Sequence, residues 1–153
     1  MALNRRGFLS ASAAGAAVVA SKPGPTAAAP GRTHVGALRT VLEQGELRAQ
    51  YPDPSSPIVV VALSEPVEGG LGPGRNVVAY SLLCTHRGCT VAFRGDRLVC
   101  PCHFSVFDPA RGGACEQGPA STGLPRVRLE IDDDEQLYAA GIEGILWGRR
   151  EGR

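Results

Sequence analysis

The sequence predicts an all-β fold of antiparallel sheets, and three features of the 153-residue chain support this prediction. The chain contains 20 Gly and 12 Pro, a high content that favours short strands and turns over long helices. Apolar residues occur in short, β-branched runs separated by turn-forming residues. Helical periodicity is visible in one window only, residues 36–47.

The first two predicted strands are apolar throughout, which is typical of strands that are buried on both faces. They span residues 58–63 and 77–83, and the Gly-rich segment between them is predicted to be a loop. A hairpin follows, in which residues 90–93 pair with residues 97–100 around a turn at 94–96.

The C-terminal part continues the strand pattern. Val127, Leu129 and Ile131 alternate with charged residues, which predicts a half-buried strand. The acidic run 132–135 lacks the ligand spacing of a calcium loop, so we interpret it as a solvated hairpin tip from which residues 136–140 return. Residues 145–147 are predicted to form the last strand.

The composition excludes several broad classes of protein. A hydrophobic content of 43% with 20% charged residues indicates a folded domain rather than a disordered chain or a membrane bundle. The formal net charge is +1, which is too small an excess to neutralise a nucleic-acid backbone. We therefore expect no nucleic-acid partner.

Residues 1–28 are predicted to be an export signal. The pair Arg5–Arg6, followed after one spacer by Phe8 and Leu9, resembles the twin-arginine motif. The alanine-rich run behind it is shorter than a membrane-spanning helix, and small residues favour cleavage after Ala28. The alternative is a disordered alanine-rich tail. Residues 29–36 are predicted to be a linker before the domain, residues 37–153.

The twin-arginine route carries proteins that are already folded. We therefore expect a cofactor assembled in the cytoplasm and a periplasmic location, with membrane association only through an uncleaved leader. An oxidising compartment also permits disulfide bonds.

Cysteine and histidine residues cluster in one part of the chain. All five cysteines and two of the three histidines lie within residues 84–115. Cysteines that serve only as buried core residues would be scattered along the chain. Two short segments each place a Cys close to a His, as Cys84-x-His86 and Cys100-x-x-His103. Two facing loops of this kind would bring two thiolates and two imidazoles together.

Two kinds of metal centre use this donor set. Zinc takes two Cys and two His in a closed tetrahedron, which would make the protein a zinc-stapled binding module. A [2Fe–2S] cluster of the Rieske kind takes two Cys on one iron and two His on the other. Each segment also carries a further cysteine, Cys89 or Cys102, for which a zinc site has no use. These additional thiols favour the cluster.

The two segments closely resemble the ligand boxes of the Rieske family. The resemblance implies a Rieske-type fold of antiparallel sheets, with one [2Fe–2S] cluster in a small subdomain at about residues 84–125. It implies thiolate ligands on one iron and imidazole ligands on the other, and a disulfide between the loops. The ligands would be Cys84, Cys100, His86 and His103, and the disulfide would join Cys89 to Cys102.

Further residues match positions that cover the cluster or change its reduction potential in this family. Gly118-Pro119-Ala120 resembles the proline-bearing loop that covers the cluster, and Ser105 stands where a hydroxyl can donate to a bridging sulfide. Phe107 stands where respiratory members carry a Tyr, which implies a lower reduction potential than theirs. Arg87, next to a ligand, is a positive charge that would favour the reduced cluster, or else a solvated loop residue.

Two residues of this chemical type receive no metal role. Cys115 is left over after the ligands and the disulfide, and we interpret it as a small buried hydrophobic residue. His34 lies in the predicted linker and is assigned no function.

Within this family, residues 40–150 resemble the small subunit of arsenite oxidase, although Arg87 replaces an expected apolar residue. The resemblance implies a chain with no substrate site of its own. A large molybdopterin-containing subunit would perform catalysis, and electrons would leave to a periplasmic cytochrome c or azurin. The alternatives are the Rieske subunit of a related molybdenum enzyme, such as iodate reductase, or of a cytochrome bc-type quinol complex.

Overall fold

The computed structural model describes residues 31–148, so the predicted leader, residues 1–28, lies outside the described residues. The described part is built from ten strands, one short α-helix and one 3₁₀ turn, which confirms the all-β prediction. In chain order the elements are β1 (Thr33–Ala37), α1 (Leu38–Gln44), β2 (Glu46–Gln50), β3 (Pro57–Ala62), β4 (Val77–Ser81), β5 (Ala92–Arg94), β6 (Arg97–Val99), β7 (Val106–Asp108), the 3₁₀ turn (Pro109–Arg111), β8 (Ala114–Gln117), β9 (Arg126–Ile131) and β10 (Gln136–Glu143).

The strands form two antiparallel sheets. The larger sheet has the order β1-β10-β9-β4-β3-β2, and the smaller sheet has the order β5-β6-β7-β8. The smaller sheet is inserted between β4 and β9, which are themselves neighbours in the larger sheet. Both loops that carry the predicted metal ligands therefore leave or enter the smaller sheet at one end.

Strands β3 and β4 are apolar throughout because each is covered on both faces. Val59 and Val61 point into a core shared with the smaller sheet, whereas Ile58 and Val60 point into a second core with α1 and β10. All four valine and isoleucine side chains have 0% exposure. The first core also contains Cys84 and Cys100, so the end that carries the predicted ligands is packed directly onto the larger sheet.

Two sequence predictions are wrong at the ends of the domain. The predicted linker, residues 29–36, overlaps β1, which begins at Thr33 and pairs with β10 around an irregularity near Gly36. Residues 145–147 form no strand, and Ile145 is 75% exposed. In both cases the partner strand decides the outcome, because backbone groups gain a ladder of hydrogen bonds only where a sheet edge is available.

The weak helical window is confirmed, but α1 is shorter than residues 36–47. The helix ends where Gly45 adopts a left-handed conformation and its N–H donates to Val41 O. No helix in residues 31–148 has the length and apolar character needed to cross a lipid bilayer.

Tyr80 links the two sheets. Its side chain on β4 is fully buried, and its hydroxyl donates to Pro109 O at 2.8 Å, in the 3₁₀ turn that joins β7 to β8. Burial raises the pKa of Tyr80 to about 12, because the tyrosinate would lose its hydration. The phenol therefore stays protonated and keeps donating in the folded protein.

We predict that Tyr80→Phe lowers the free energy of unfolding by about 1–2 kcal/mol, because a buried hydrogen bond is lost. The raised pKa of Tyr80 also predicts a pH dependence of stability that the variant should lack. The unfolded tyrosine loses its proton near pH 10 and the folded one near pH 12, so wild-type stability falls as the pH rises through this window. Urea unfolding at neutral pH and between pH 10 and 12 measures both effects.

The matched control is Tyr51→Phe. Tyr51 is also buried, and its hydroxyl makes no hydrogen bond within the described part of the chain. This variant should keep the wild-type stability to within about 0.5 kcal/mol and the wild-type fall at alkaline pH. Equal destabilisation by both variants would contradict a specific role for the Tyr80 hydroxyl.

Candidate metal centre

The two ligand-bearing loops share one backbone geometry. In the first loop, residues 84–89, Cys84 O accepts from Gly88 N and Cys84 N donates to Cys89 O. In the second loop, residues 100–105, Cys100 O accepts from Phe104 N and Cys100 N donates to Ser105 O. Each loop thus begins at a cysteine whose own backbone closes it, and the two loops present equivalent positions.

Both loops turn through a left-handed residue four positions after that cysteine. Gly88 has φ 73° and Phe104 has φ 58°. Glycine adopts this conformation freely, whereas a phenylalanine there is strained and is held by its surroundings. The strained residue projects to solvent, with 67% of its surface exposed.

The fold brings the predicted ligands together in two pairs. Cys84 and Cys100 are each 1% exposed. Burial, and then the neighbouring Cys100 thiol, raise the pKa of Cys84, although a backbone N–H from His86 acts in the opposite direction. The His86 and His103 rings meet edge to face, with centroids 4.8 Å apart. The thiols lie inside and the imidazoles lie towards the surface.

A disulfide joins the two loops. Cys89 and Cys102 are bonded, with their Cα atoms 6.5 Å apart. The Sγ atoms of this pair also lie within 4.8 Å of the Cys100 Sγ, so the bond sits beside a predicted ligand. The bond joins one residue of each loop, 13 positions apart in sequence, and therefore limits how far the two loops can separate.

A third loop, residues 118–125, is hydrogen-bonded to both ligand loops. Ala120 N donates to Ser105 Oγ at 3.2 Å, and Thr85 Oγ1 donates to Thr122 O at 2.6 Å. A Cβ atom on Gly118 would lie 2.5 Å from Ser105 Cα, so only glycine permits this approach. The loop that the resemblance associates with Pro119 therefore packs against the ligand loops, with Pro119 itself exposed.

The predicted tuning residues differ in their surroundings. Ser105 is fully buried, and its hydroxyl accepts from the third loop while its own proton remains able to donate. Phe107 is fully buried in the core that contains the ligand cysteines. Arg87 is exposed. Cys115 is half-buried, packs against that core, and its thiol lies 3.3 Å from Gln117 O.

Thr85 was missed by the sequence interpretation. It lies between two predicted ligands, is 2% exposed, and connects its loop to residues 118–125. A threonine in a ligand box carries no local sign of where its hydroxyl points. Its partner lies 37 positions away in sequence and becomes visible only in the folded chain.

The donor atoms fit an iron–sulfur cluster. His86 Nδ1 is buried and has no hydrogen-bond partner among residues 31–148, an arrangement that is costly for an imidazole unless a metal occupies that nitrogen. Two buried sulfur donors beside two imidazoles match the division of ligands between the irons of a Rieske centre.

Comparison with known proteins decides the family. A family model described as "Rieske [2Fe-2S] domain" matches residues 39–128. The chain belongs to the Rieske [2Fe–2S] domain family. It therefore binds a [2Fe–2S] cluster and acts in electron transfer, and the zinc alternative is set aside.

The curated relatives are subunits of larger enzymes. The iodate reductase subunit IdrB of Denitromonas iodatirespirans is 32% identical, over 99% of this chain and 87% of its own length. The IdrB of Pseudomonas sp. strain SCT is also 32% identical, and the match spans 76% of this chain and 63% of the relative. A putative respiratory nitrate reductase Rieske subunit of Haloferax mediterranei is 36% identical, over 65% of this chain and 50% of its own length.

Solved structures agree on the fold. The soluble domain of Rieske protein II (soxF) from Sulfolobus acidocaldarius superposes with a TM-score of 0.68 at 24% identity, covering 80% of this chain and 83% of that one. The plasma membrane Rieske protein PetC3 from Synechocystis PCC 6803 gives a TM-score of 0.56 at 28% identity, covering 71% of this chain and 99% of that one.

We predict that Thr85→Val speeds loss of the cluster several-fold. The hydroxyl bond to Thr122 O disappears, and residues 118–125 are then held less firmly against the ligand loops. The decay of visible absorbance during incubation with an iron chelator measures the rate.

Two variants make this test specific. Thr85→Ser keeps the hydroxyl and should restore the wild-type rate, whereas Thr90→Val makes the same change at an exposed position and should have no effect. A wild-type rate for Thr85→Val would refute the role of the hydroxyl.

We predict that Phe107→Tyr raises the reduction potential by on the order of 50 mV, the one-electron equivalent of about 1 kcal/mol. A hydroxyl in this buried core can donate towards sulfur, which favours the more electron-rich reduced state. Protein-film voltammetry measures the potential directly.

Phe93→Tyr, at a partly buried phenylalanine packed on the same core, is the control and should leave the potential unchanged. A fall or no shift in Phe107→Tyr would count against this account.

Proposed function

We propose that this chain is the one-electron-carrying Rieske subunit of a molybdenum-containing oxyanion oxidoreductase. The observation that carries the proposal is the match to iodate reductase subunit IdrB, which spans 99% of this chain and 87% of the relative. The predicted ligand set also supports it, because two thiols and two imidazoles suit a one-electron centre, and this proposal assigns catalysis to a second subunit.

The geometry suits electron relay rather than substrate conversion. A cavity of about 610 Å³ is lined by residues of β3, the β5–β6 hairpin and their neighbours, and by none of the predicted ligands. When bound, the [2Fe–2S] cluster supplies a one-electron change of oxidation state.

The protein's own residues keep the centre rigid. The donors are held in place by the disulfide, by the two closed loops and by the hydrogen bonds of Thr85 and Ser105 to the third loop. These contacts keep the donors fixed when the cluster gains or loses an electron. A rigid site limits reorganisation, and the imidazole pair at the surface offers the route by which an electron enters and leaves. Cys84, Cys100, His86 and His103 are the ligands in this proposal.

Two oxyanions are candidate substrates of the large molybdopterin subunit. The similarity to the two iodate reductase subunits IdrB favours iodate reduction. The motifs across residues 40–150 resemble the arsenite oxidase small subunit and favour arsenite oxidation, with a periplasmic cytochrome c or azurin as the acceptor. A periplasmic location reached by the twin-arginine route belongs to this proposal.

Purification of the native complex through a tag on this chain tests the proposal. We expect about two irons and two acid-labile sulfides per chain, a Rieske EPR signal on reduction, and molybdenum in the same particle. Assays with iodate plus a reduced dye, and with arsenite plus an oxidised dye, then identify the substrate. Co-purification of a cytochrome b without molybdenum would overturn the proposal in favour of a quinol complex.

A further inference from the structure

The residues that follow β10 reach back to the first ligand loop. Residues 144–148, here called the C-terminal strap, form neither helix nor strand. At the start of the strap, a Cβ on Gly144 would lie 3.7 Å from Pro125 Cα, at the end of the third loop. At its end, a Cβ on Gly88 would lie 2.7 Å from Gly148 Cα. The strap therefore passes from the third loop to the first loop and lies against its backbone.

The contact between the strap and the first loop requires glycine on both sides. Gly88 and Gly148 are both left-handed, with φ of 73° and 66°. A Cβ on either residue would lie closer than 3.0 Å to the Cα of the other, which is a backbone atom and cannot turn aside. Within residues 31–148 no hydrogen bond joins the strap to this loop. The contact is therefore backbone packing, which a side chain on either glycine would separate.

The second ligand loop has the same geometry, but in the described part of the chain no such glycine contact covers it. Phe104 occupies the position that Gly88 occupies in the first loop, four residues after a cysteine and left-handed. Phe104 is 67% exposed, whereas Gly88 is half-buried. The histidines differ in the same direction, because His103 is exposed and His86 is half-buried. The loop on which the strap lies is thus the more buried of the two.

We infer that Gly148 is a positioning residue for the metal centre: by packing on Gly88, it holds the first loop closed and keeps water away from the loop that carries His86. The bond that closes this loop runs from Gly88 N–H to Cys84 O, so a displaced strap would expose it to solvent. Reduction adds one negative charge to a Rieske centre, and water stabilises that charge. The strap therefore slows the loss of iron and lowers the reduction potential.

Hydrogen–deuterium exchange of the holo protein tests the strap without any variant. The amides of Gly88 and Phe104 make equivalent bonds to the first cysteine of their loops, at 2.7 Å and 3.0 Å. After correction for intrinsic rates, the Gly88 amide should exchange at least tenfold more slowly than the Phe104 amide, because only the first loop is covered. Equal protection of the two amides would overturn the inference.

Gly148→Ala displaces the strap, and Gly95→Ala is the matched control. Gly95 has φ 63°, so alanine there suffers the same backbone strain, but its Cβ would meet no atom within 4 Å. Gly148→Ala should speed amide exchange at least tenfold in the first loop and leave the second loop unchanged. It should also speed loss of iron to a chelator several-fold and raise the potential measured by protein-film voltammetry. Gly95→Ala should match wild type in each measurement. Wild-type exchange or a wild-type potential in Gly148→Ala would contradict the role of the strap.

A double-mutant cycle tests whether Gly88 is the partner of Gly148. A Cβ on Gly88 meets the strap only while the strap is in place, so Gly88→Ala should speed iron loss less in the Gly148→Ala background than in wild type. The cost of a left-handed alanine at position 88 is present in both backgrounds and cancels in the cycle. Equal increments in the two backgrounds would show that the glycines act independently, and the inference would be wrong.

Discussion

Two loops, residues 84–89 and 100–105, place the four predicted ligand side chains near one another, and their shared backbone geometry makes this possible. Each loop closes on its own first cysteine, Cys84 or Cys100, and turns through a left-handed residue four positions later. The cysteines consequently point into the core and the histidines towards the surface. The Cys89–Cys102 disulfide and the loop 118–125 then hold the two loops together. The rest of the site depends on the backbone hydrogen bonds that close each loop.

The rest of the fold supplies a rigid base for these loops. Strands β3 and β4 are buried on both faces, with one core under the smaller sheet and another under α1. Close-packed apolar cores have low compressibility, so they give the loops a firm base. Apolar packing alone would let the two sheets shift against each other. Tyr80 adds a directional hydrogen bond between them, because its hydroxyl donates to Pro109 O in the turn between β7 and β8.

The centre is asymmetric in a way that suits electron transfer between proteins. Its thiol side is packed into the domain, and its imidazole side lies among exposed apolar residues and one cation, Arg87. Burial on one side protects the ligands from solvent, and exposure on the other shortens the path to a partner.

The sequence by itself determined the all-β class, the apolar central strands and the resemblance of the ligand boxes, because each depends on residue types at short spacings. Only the tertiary structure decided that residues 33–37 form an edge strand and that residues 145–147 do not, since pairing depends on a distant partner. It also decided that Thr85 reaches Thr122 and that Gly148 lies on Gly88. Contacts between residues tens of positions apart leave no local pattern, because their energy exists only once the chain has closed on itself.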